Sequence, residues 1–330
     1  MKKILNNPAD YVDEMLEGLC AAHPEFYSQP ERRVIVRAGE KKQGKVGIVT
    51  GGGSGHLPIF TGYVGPGFLD GAAIGDVFAS PSAEQMAASM RHADAGAGVL
   101  RLYGNYGGDI MNFDMAGEIL EMEDIRSTTV LLTDDVASAP SDESAKRRGV
   151  AGMVYAFKIA GAAAETMADL DEVTRVAQKA ADACRSIGMA LSPCTVPQAG
   201  KPTFHLGEDE MEMGMGIHGE PGIWRDKLKS ADEITDEMID RLIADRPIQR
   251  GDRVSILVNS LGATPLEELY IMFRRARTRL MDSGAEIVMP LVGRYATSME
   301  MTGATITLLA LDDELERFLK APAACAFWQV

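Results

Sequence analysis

With 330 residues, 46% of them apolar and 25% charged, the chain has a globular composition and is too long for one ordinary core. A formal net charge of −15 argues against nucleic acid or an anionic membrane surface as partner. No apolar run reaches the roughly 18–20 residues that a bilayer crossing requires.

In chain order, the opening "MKKILNNPADYVDEML" starts like a signal peptide, but Asn, Pro and Asp interrupt it within a few residues. Asn7 and Pro8 mark a helix start, and Tyr11, Met15, Leu16 and Leu19 give the following segment one apolar face. "RVIVRA" and "KVGIVT" have the pattern of strands, and the second runs straight into "GGGSGH". Two phosphate-loop decoys fail here. Gly39-x4-Gly44-Lys45 is followed by Val46 where Ser or Thr is required, and it precedes a strand instead of following one. "GGGSGH" carries His56 where a dinucleotide fingerprint needs glycine. What remains is a flexible turn that presents Ser54 and His56, and the glycines let a ligand approach the backbone closely. Ser80 with Pro81 forms a good N-cap and first-turn pair.

"GVLRLYGNYGGD" repeats the strand-then-glycine logic and leaves Asp109 in an open loop, as a backbone cap or a general base. "TTVLLTDDVA" is a further strand. Its Asp134-Asp135 pair lacks companion ligands at a set spacing and is expected to be a solvated loop. "RGVAGMVYAFKIAGAAAETM" and the residues after it have a helical pattern. Alternating strands and helices indicate an α/β layer structure. Composition changes near residue 189, so the domains are expected at 1–188 and 189–330. The C-terminal segment is a candidate to pack back on the first domain.

In "EMEMGMGIH", strand alternation puts Met211, Met213, Met215 and Ile217 on one face. Glu210, Glu212, Gly214, Gly216 and His218 take the other, leaving a hollow beside the imidazole. A Gly219-Glu220-Pro221-Gly222 turn comes next. An imidazole so placed can be a general base, a metal ligand or a nucleophile, and the pattern goes no further than a small polar ligand beside His218. Beyond it, Thr264-Pro265-Leu266-Glu267 opens a helix with a cap, a first-turn proline and a capping-box acid. Cys20, Cys184, Cys194 and Cys325 show no CxxC spacing. They imply neither a disulfide framework nor a thiolate metal site, and a reduced, cytoplasmic protein is the economical reading.

Taken together, "GGGSGHLPIFTGYVGPGFLDGAAIGDVFASPS", "NYGGDIMNFDMAGE", "TDDVAS", "RRGVAGMVYAFKIAGAAAE", "CTVPQAGKPTFHLGEDEMEMGMGIHGEPGI" and "YATSMEMTGATITLLALDDE" resemble the dihydroxyacetone kinase family. The match is to its substrate-binding subunit and runs from about residue 10 to the C-terminus. The resemblance implies two α/β domains, each with a mixed sheet flanked by helices, and usually a homodimer. It implies a short-chain ketose held as a hemiaminal on His218. His56 and Asp109 would contact the substrate hydroxyls and help deprotonate the attacking one, and Gly53, Ser54, Gly55 and Ser80 would line the site. No cofactor or metal is implied in this chain. ATP, or ADP with Mg, belongs on a separate nucleotide-binding partner subunit (DhaL-like).

The sequence departs from the family at one place. Members commonly read K-N-Y-T-G-D where this chain has Gly104 and Gly107. Loss of that lysine at a substrate-binding position removes a cation, and the glycines add room, which points to a ketose larger than dihydroxyacetone, such as erythrulose. The other reading is a ketone sensor that keeps His218 and partners a transcription regulator. Retention of His56 and Asp109 favours the enzyme, since a sensor needs no base.

Overall fold

The computed structural model describes residues 2–330. Its first sheet holds β1 (Tyr27–Glu31), β2 (Val34–Arg37), β3 (Gly47–Ser54), β4 (Gly71–Val77), β5 (Val99–Gly104) and β6 (Ser127–Leu132), in the order β1-β2-β4-β3-β5-β6. β4, β3, β5 and β6 are parallel, and β1 and β2 close one edge antiparallel. Parallel neighbours need crossovers, and α2 (Ala83–Ala93) and α3 (Gly107–Glu121) supply two of them. Met86, Met90, Phe113 and Leu120 on these helices pack on Val49, Val99 and Tyr103 of the sheet. α1 (Tyr11–Ala22) buries Val12 and Leu16.

The second sheet runs β11-β10-β13-β7-β8-β9. It comprises β7 (Cys184–Ser192), β8 (Glu210–Met213), β9 (Trp224–Lys227), β10 (Arg253–Ser260), β11 (Glu286–Ile287), β12 (Leu291–Gly293) and β13 (Thr302–Leu311). It is antiparallel except that β11 and β12 lie parallel to β10. α6 (Ala231–Asp245) and α7 (Leu266–Asp282) cover one face through Met238, Leu242, Leu269 and Met272. β7 starts at Cys184, directly after α5 (Leu170–Ala183), so the second sheet begins before the expected change at 188/189. No turn residues separate helix from strand there, which is why composition alone shows the switch late.

α4 (Gly152–Glu165) is buried at every position but its last. Such a helix is apolar on nearly every side, Lys158 excepted, because it has no solvent face, and it lies between the two sheets, touching β3 and β5 of one and β7 and β13 of the other. The C-terminal segment after β13 packs on the first unit. Lys158 of α4 donates to the Phe318 carbonyl at 2.7 Å, at the end of α8 (Asp313–Leu319), and the Ala324 N–H donates to Pro66 O at 2.9 Å.

Candidate active site

In a parallel sheet, ligands collect beyond the carboxyl ends of the strands. His56 follows β3, Ser80 follows β4, Gly104 ends β5, Asp109 lies in the first turn of α3, and Asp135 follows β6. The second unit brings two loops to this edge: the one after β8, with His218, and the one between β12 and β13, with Thr297.

The expected flexible turn at "GGGSGH" is instead mostly strand, since β3 continues through Ser54 and buries Gly51 to Ser54. These glycines answer close packing. A Cβ on Gly52 would lie 2.1 Å from the Phe60 ring, and one on Gly53 would lie 2.6 Å from the Ala79 nitrogen. Only at Gly55, with φ +103°, does the chain leave the strand. His56 is then gripped from the other unit. Its Nδ1–H donates to Thr297 O at 2.7 Å, and Thr297 Oγ1 donates back to Leu57 O at 3.1 Å. That bond leaves His56 Nε2 with a lone pair, and Nε2 is buried without a partner. Burial, with the His218 ring close by, lowers the His56 pKa to about 3, so the ring is neutral.

His218 lies with its ring centroid 4.7 Å from that of His56, edge to face. Tyr106 at 4.8 Å and Phe78 at 5.3 Å complete the surround, also edge to face, while Phe78 stacks on His56 at 4.9 Å. His56 is 1% exposed but the His218 side chain is 24% exposed, so His218 is the ring a ligand meets from outside. Asp109 is buried with Oδ1 unpartnered. Burial raises its carboxyl to about 6 against smaller opposing pulls from the Ser80 hydroxyl and His218.

Several expectations change. Ser80 does not cap α2; Ser82 does, in a capping box with Gln85. Ser80 is thereby free to face the α3 start, where a Cβ on Gly108 would meet its Oγ at 2.6 Å. Asp134 and Asp135 are buried, not solvated. Asp134 accepts the Val150 and Gly152 N–H groups at 3.0 and 2.8 Å at the start of α4, and Asp135 pairs with Arg148 at 2.7 Å. β8 ends at Met213, because Gly214 takes φ +85°, so His218 stands on a loop. The hollow expected beside its imidazole is filled: a Cβ on Gly216 would lie 2.2 Å from Glu220 Oε2 and 2.6 Å from Arg148 Nη1. A Cβ on Gly104 would meet the Tyr106 ring at 3.1 Å, while one on Gly107 would meet open space.

Glu220, Arg148, Tyr106, Phe78 and Thr297 were not singled out from sequence. Glu220 had a signal, standing two residues after His218, but the others reach the site only through the fold. Among the described residues, no group of three or more His, Cys, Asp or Glu side chains could hold a metal ion, and no helix is long and apolar enough to cross a membrane. A separate groove of about 650 Å³ by α5, α6 and α8 is lined by ions such as Arg175 and Lys179, which pair with Glu314, and by no histidine or cysteine.

Residues 17–327 match the model of the Dak1 domain family. The chain is 43% identical, over 99% of its length and 100% of the relative's, to the PTS-dependent dihydroxyacetone kinase 1, dihydroxyacetone-binding subunit DhaK, of Listeria innocua. It is 44% identical to the L-erythrulose 1-kinase of Mycolicibacterium smegmatis over 98% of this chain, spanning 57% of that longer protein. Among solved structures, the native dihydroxyacetone kinase of C. freundii superposes with a TM-score of 0.90 at 30% identity, covering 99% of this chain and 60% of that one. The dihydroxyacetone kinase operon co-activator Dha-DhaQ does so with a TM-score of 0.87 at 32% identity, covering 94% and 96%.

Proposed function

The chain belongs to the Dak1 domain family, and from that premise we propose that it is the ketose-binding subunit of a kinase, holding a short-chain ketose on His218 while a phosphoryl group is transferred to a terminal hydroxyl. The observation that carries this reading is the convergence of three reactive groups from distant segments. They are the part-exposed imidazole of His218, the buried lone pair of His56 Nε2 and the unpartnered Oδ1 of Asp109.

In this reading the His218 imidazole adds to the ketone carbonyl. That selects ketones over polyols, which offer no carbon to attack, with more discrimination than hydroxyl hydrogen bonds supply. His56 stays neutral and accepts a hydrogen bond from a substrate hydroxyl. Asp109, raised to about 6 yet ionised at neutral pH, takes the proton of the other, terminal hydroxyl as that oxygen attacks phosphorus. Gly53, Ser54, Gly55 and Ser80 border this space. The donor, ATP or ADP with Mg, is assigned to a separate nucleotide-binding subunit, and the chain is taken to act as a cytoplasmic homodimer. The presence of an unpartnered base beside His218 supports transfer over sensing, since a protein that only reports a ketone has no need of one.

The open space beside Gly107 and the absence of the family's lysine at Gly104 support a ketose larger than dihydroxyacetone, such as erythrulose, although the room beside Gly104 itself is taken by the Tyr106 ring. A panel of dihydroxyacetone, both erythruloses and branched ketoses, assayed with the neighbouring nucleotide-bearing subunit and ATP, tests this. A four-carbon ketose is expected to give the highest kcat/KM. Dihydroxyacetone as the best substrate would overturn the size argument. Absence of turnover alongside His218-dependent ketone binding would overturn the kinase reading in favour of the sensor.

A further inference from the structure

We propose that Glu220 is a positioning residue that fixes the tautomer of His218 and faces the charge that appears when this imidazole adds to a ketone; the proposal rests on the assignment of His218 as the covalent group.

Both oxygens of Glu220 engage His218. Oε2 accepts the His218 backbone N–H at 2.9 Å, and Oε1 lies 2.9 Å from Nδ1. Burial alone would raise this carboxyl, but the His218 hydrogen bond and the Arg148 guanidinium help hold it at about 2, so it is ionised and has no proton to give. An acceptor-only group opposite Nδ1 requires that Nδ1 carry the proton, and the lone pair then resides on Nε2. A carboxylate is the side chain that serves both donors at once, since an amide offers one acceptor and one donor.

The carboxylate is itself held from behind. Arg148 Nη1 stands 3.9 Å from Oε2, and Arg148 is fixed by Asp135 at 2.7 Å and by Gly214 O at 3.2 Å. Gly216 lacks the side chain that would collide with both. Closing the turn does not need the carboxylate. The backbone already does so, with Gly216 N–H donating to Glu220 O and Gly219 N–H to Gly216 O, both at 3.1 Å.

The chemistry uses this arrangement. The Nε2 lone pair forms a bond to the carbonyl carbon, and the C=O π pair moves to oxygen, which takes a proton from water. The ring, now substituted at Nε2 and still bearing Nδ1–H, is cationic, and Glu220 lies against it. On reversal, the N–C pair returns to Nε2 and the hydroxyl proton to water. This is the orienting and charge-stabilising part that a buried carboxylate plays behind a catalytic histidine.

The test uses the full chain with dihydroxyacetone labelled with ¹³C at the carbonyl as probe, together with ¹⁵N-histidine NMR. The parent protein is expected to show an sp³ adduct carbon and a single His218 tautomer with unprotonated Nε2. His218→Ala should lose the adduct. Glu220→Gln should mix the two tautomers and weaken adduct formation about 10- to 100-fold, the usual cost of removing an orienting partner. Should the glutamine variant fail to fold, Gly216→Ala displaces the carboxylate and is expected to give the same two changes. A Glu220→Gln protein with a single Nε2-lone-pair tautomer and unchanged adduct affinity would overturn the proposal. An adduct that survives His218→Ala would overturn the underlying covalent assignment instead.

Discussion

Asp109 stores a cost that its environment makes measurable. Its carboxyl rises from 3.8 to about 6 mainly through burial, so the folded state prefers the protonated form. Between about pH 4 and 6 the folded chain therefore binds more protons than the unfolded one, and stability is lost as pH rises through 6. Asp109→Asn, neutral at every pH, should stabilise the protein by about 1–3 kcal/mol at pH 8, and the gain should vanish below about pH 4 while phosphoryl transfer is lost throughout. Thermal melts of both proteins at pH 4 and pH 8 check the sign, and a gain confined to low pH would refute it. At this scale the sequence marked His56, Asp109 and His218 because glycines isolate them from bulky neighbours. It could not mark Thr297, which meets His56 across 241 positions of chain, nor Arg148, whose role exists only once Asp135 and Glu220 flank it.

Between residues and the fold stand the elements, and here local pattern was right about type and wrong about ends. "KVGIVT" is a strand, but the glycines after it belong to that strand, because Phe60 and the 78–79 backbone occupy the space where side chains would stand. Ser80 and Thr264 both looked like caps. The structure gives α2 to Ser82, puts Pro265 at the start of α7 and sends the Thr264 hydroxyl to Gly303 O at 2.6 Å. A cap motif read from sequence fixes a helix start only within a residue or two when neighbouring Ser or Thr residues have tertiary partners. The strand glycines give a direct test. Gly52→Ala would place a methyl 2.1 Å from a buried ring, and Phe60 in turn packs edge-on against His56 at 6.2 Å. The expected result is a loss of about 1–3 kcal/mol from overpacking together with slower phosphoryl transfer, read by urea melts and single-turnover kinetics. Unchanged stability would show that β3 can shift to admit the methyl.

For the molecule as a whole, alternation of strands and helices announced two α/β units, but the sequence did not show that they share a core. One apolar cluster joins Phe68, Phe157 and Leu257 to Phe318 and Trp328, so the chain's last residues complete packing begun by its first hundred. Trp328 is central to that closure. Its ring lies 5.3 Å from that of Phe68 in the first unit and 6.0 Å from that of Tyr295, two residues before the Thr297 carbonyl that orients His56. Tyr295 O is also tied to the first unit by the Tyr63 hydroxyl at 2.8 Å. Removing the indole therefore acts on the site through the 295–297 loop. Trp328→Ala should cost about 3–5 kcal/mol of stability, as for a large buried aromatic. In the folded fraction it should slow transfer more than it weakens the ketone adduct, because His56 depends on that loop and His218 is held by Glu220 instead. Equal losses in adduct formation and transfer would mean that the C-terminal segment supports the whole cleft and not the His56 side of it.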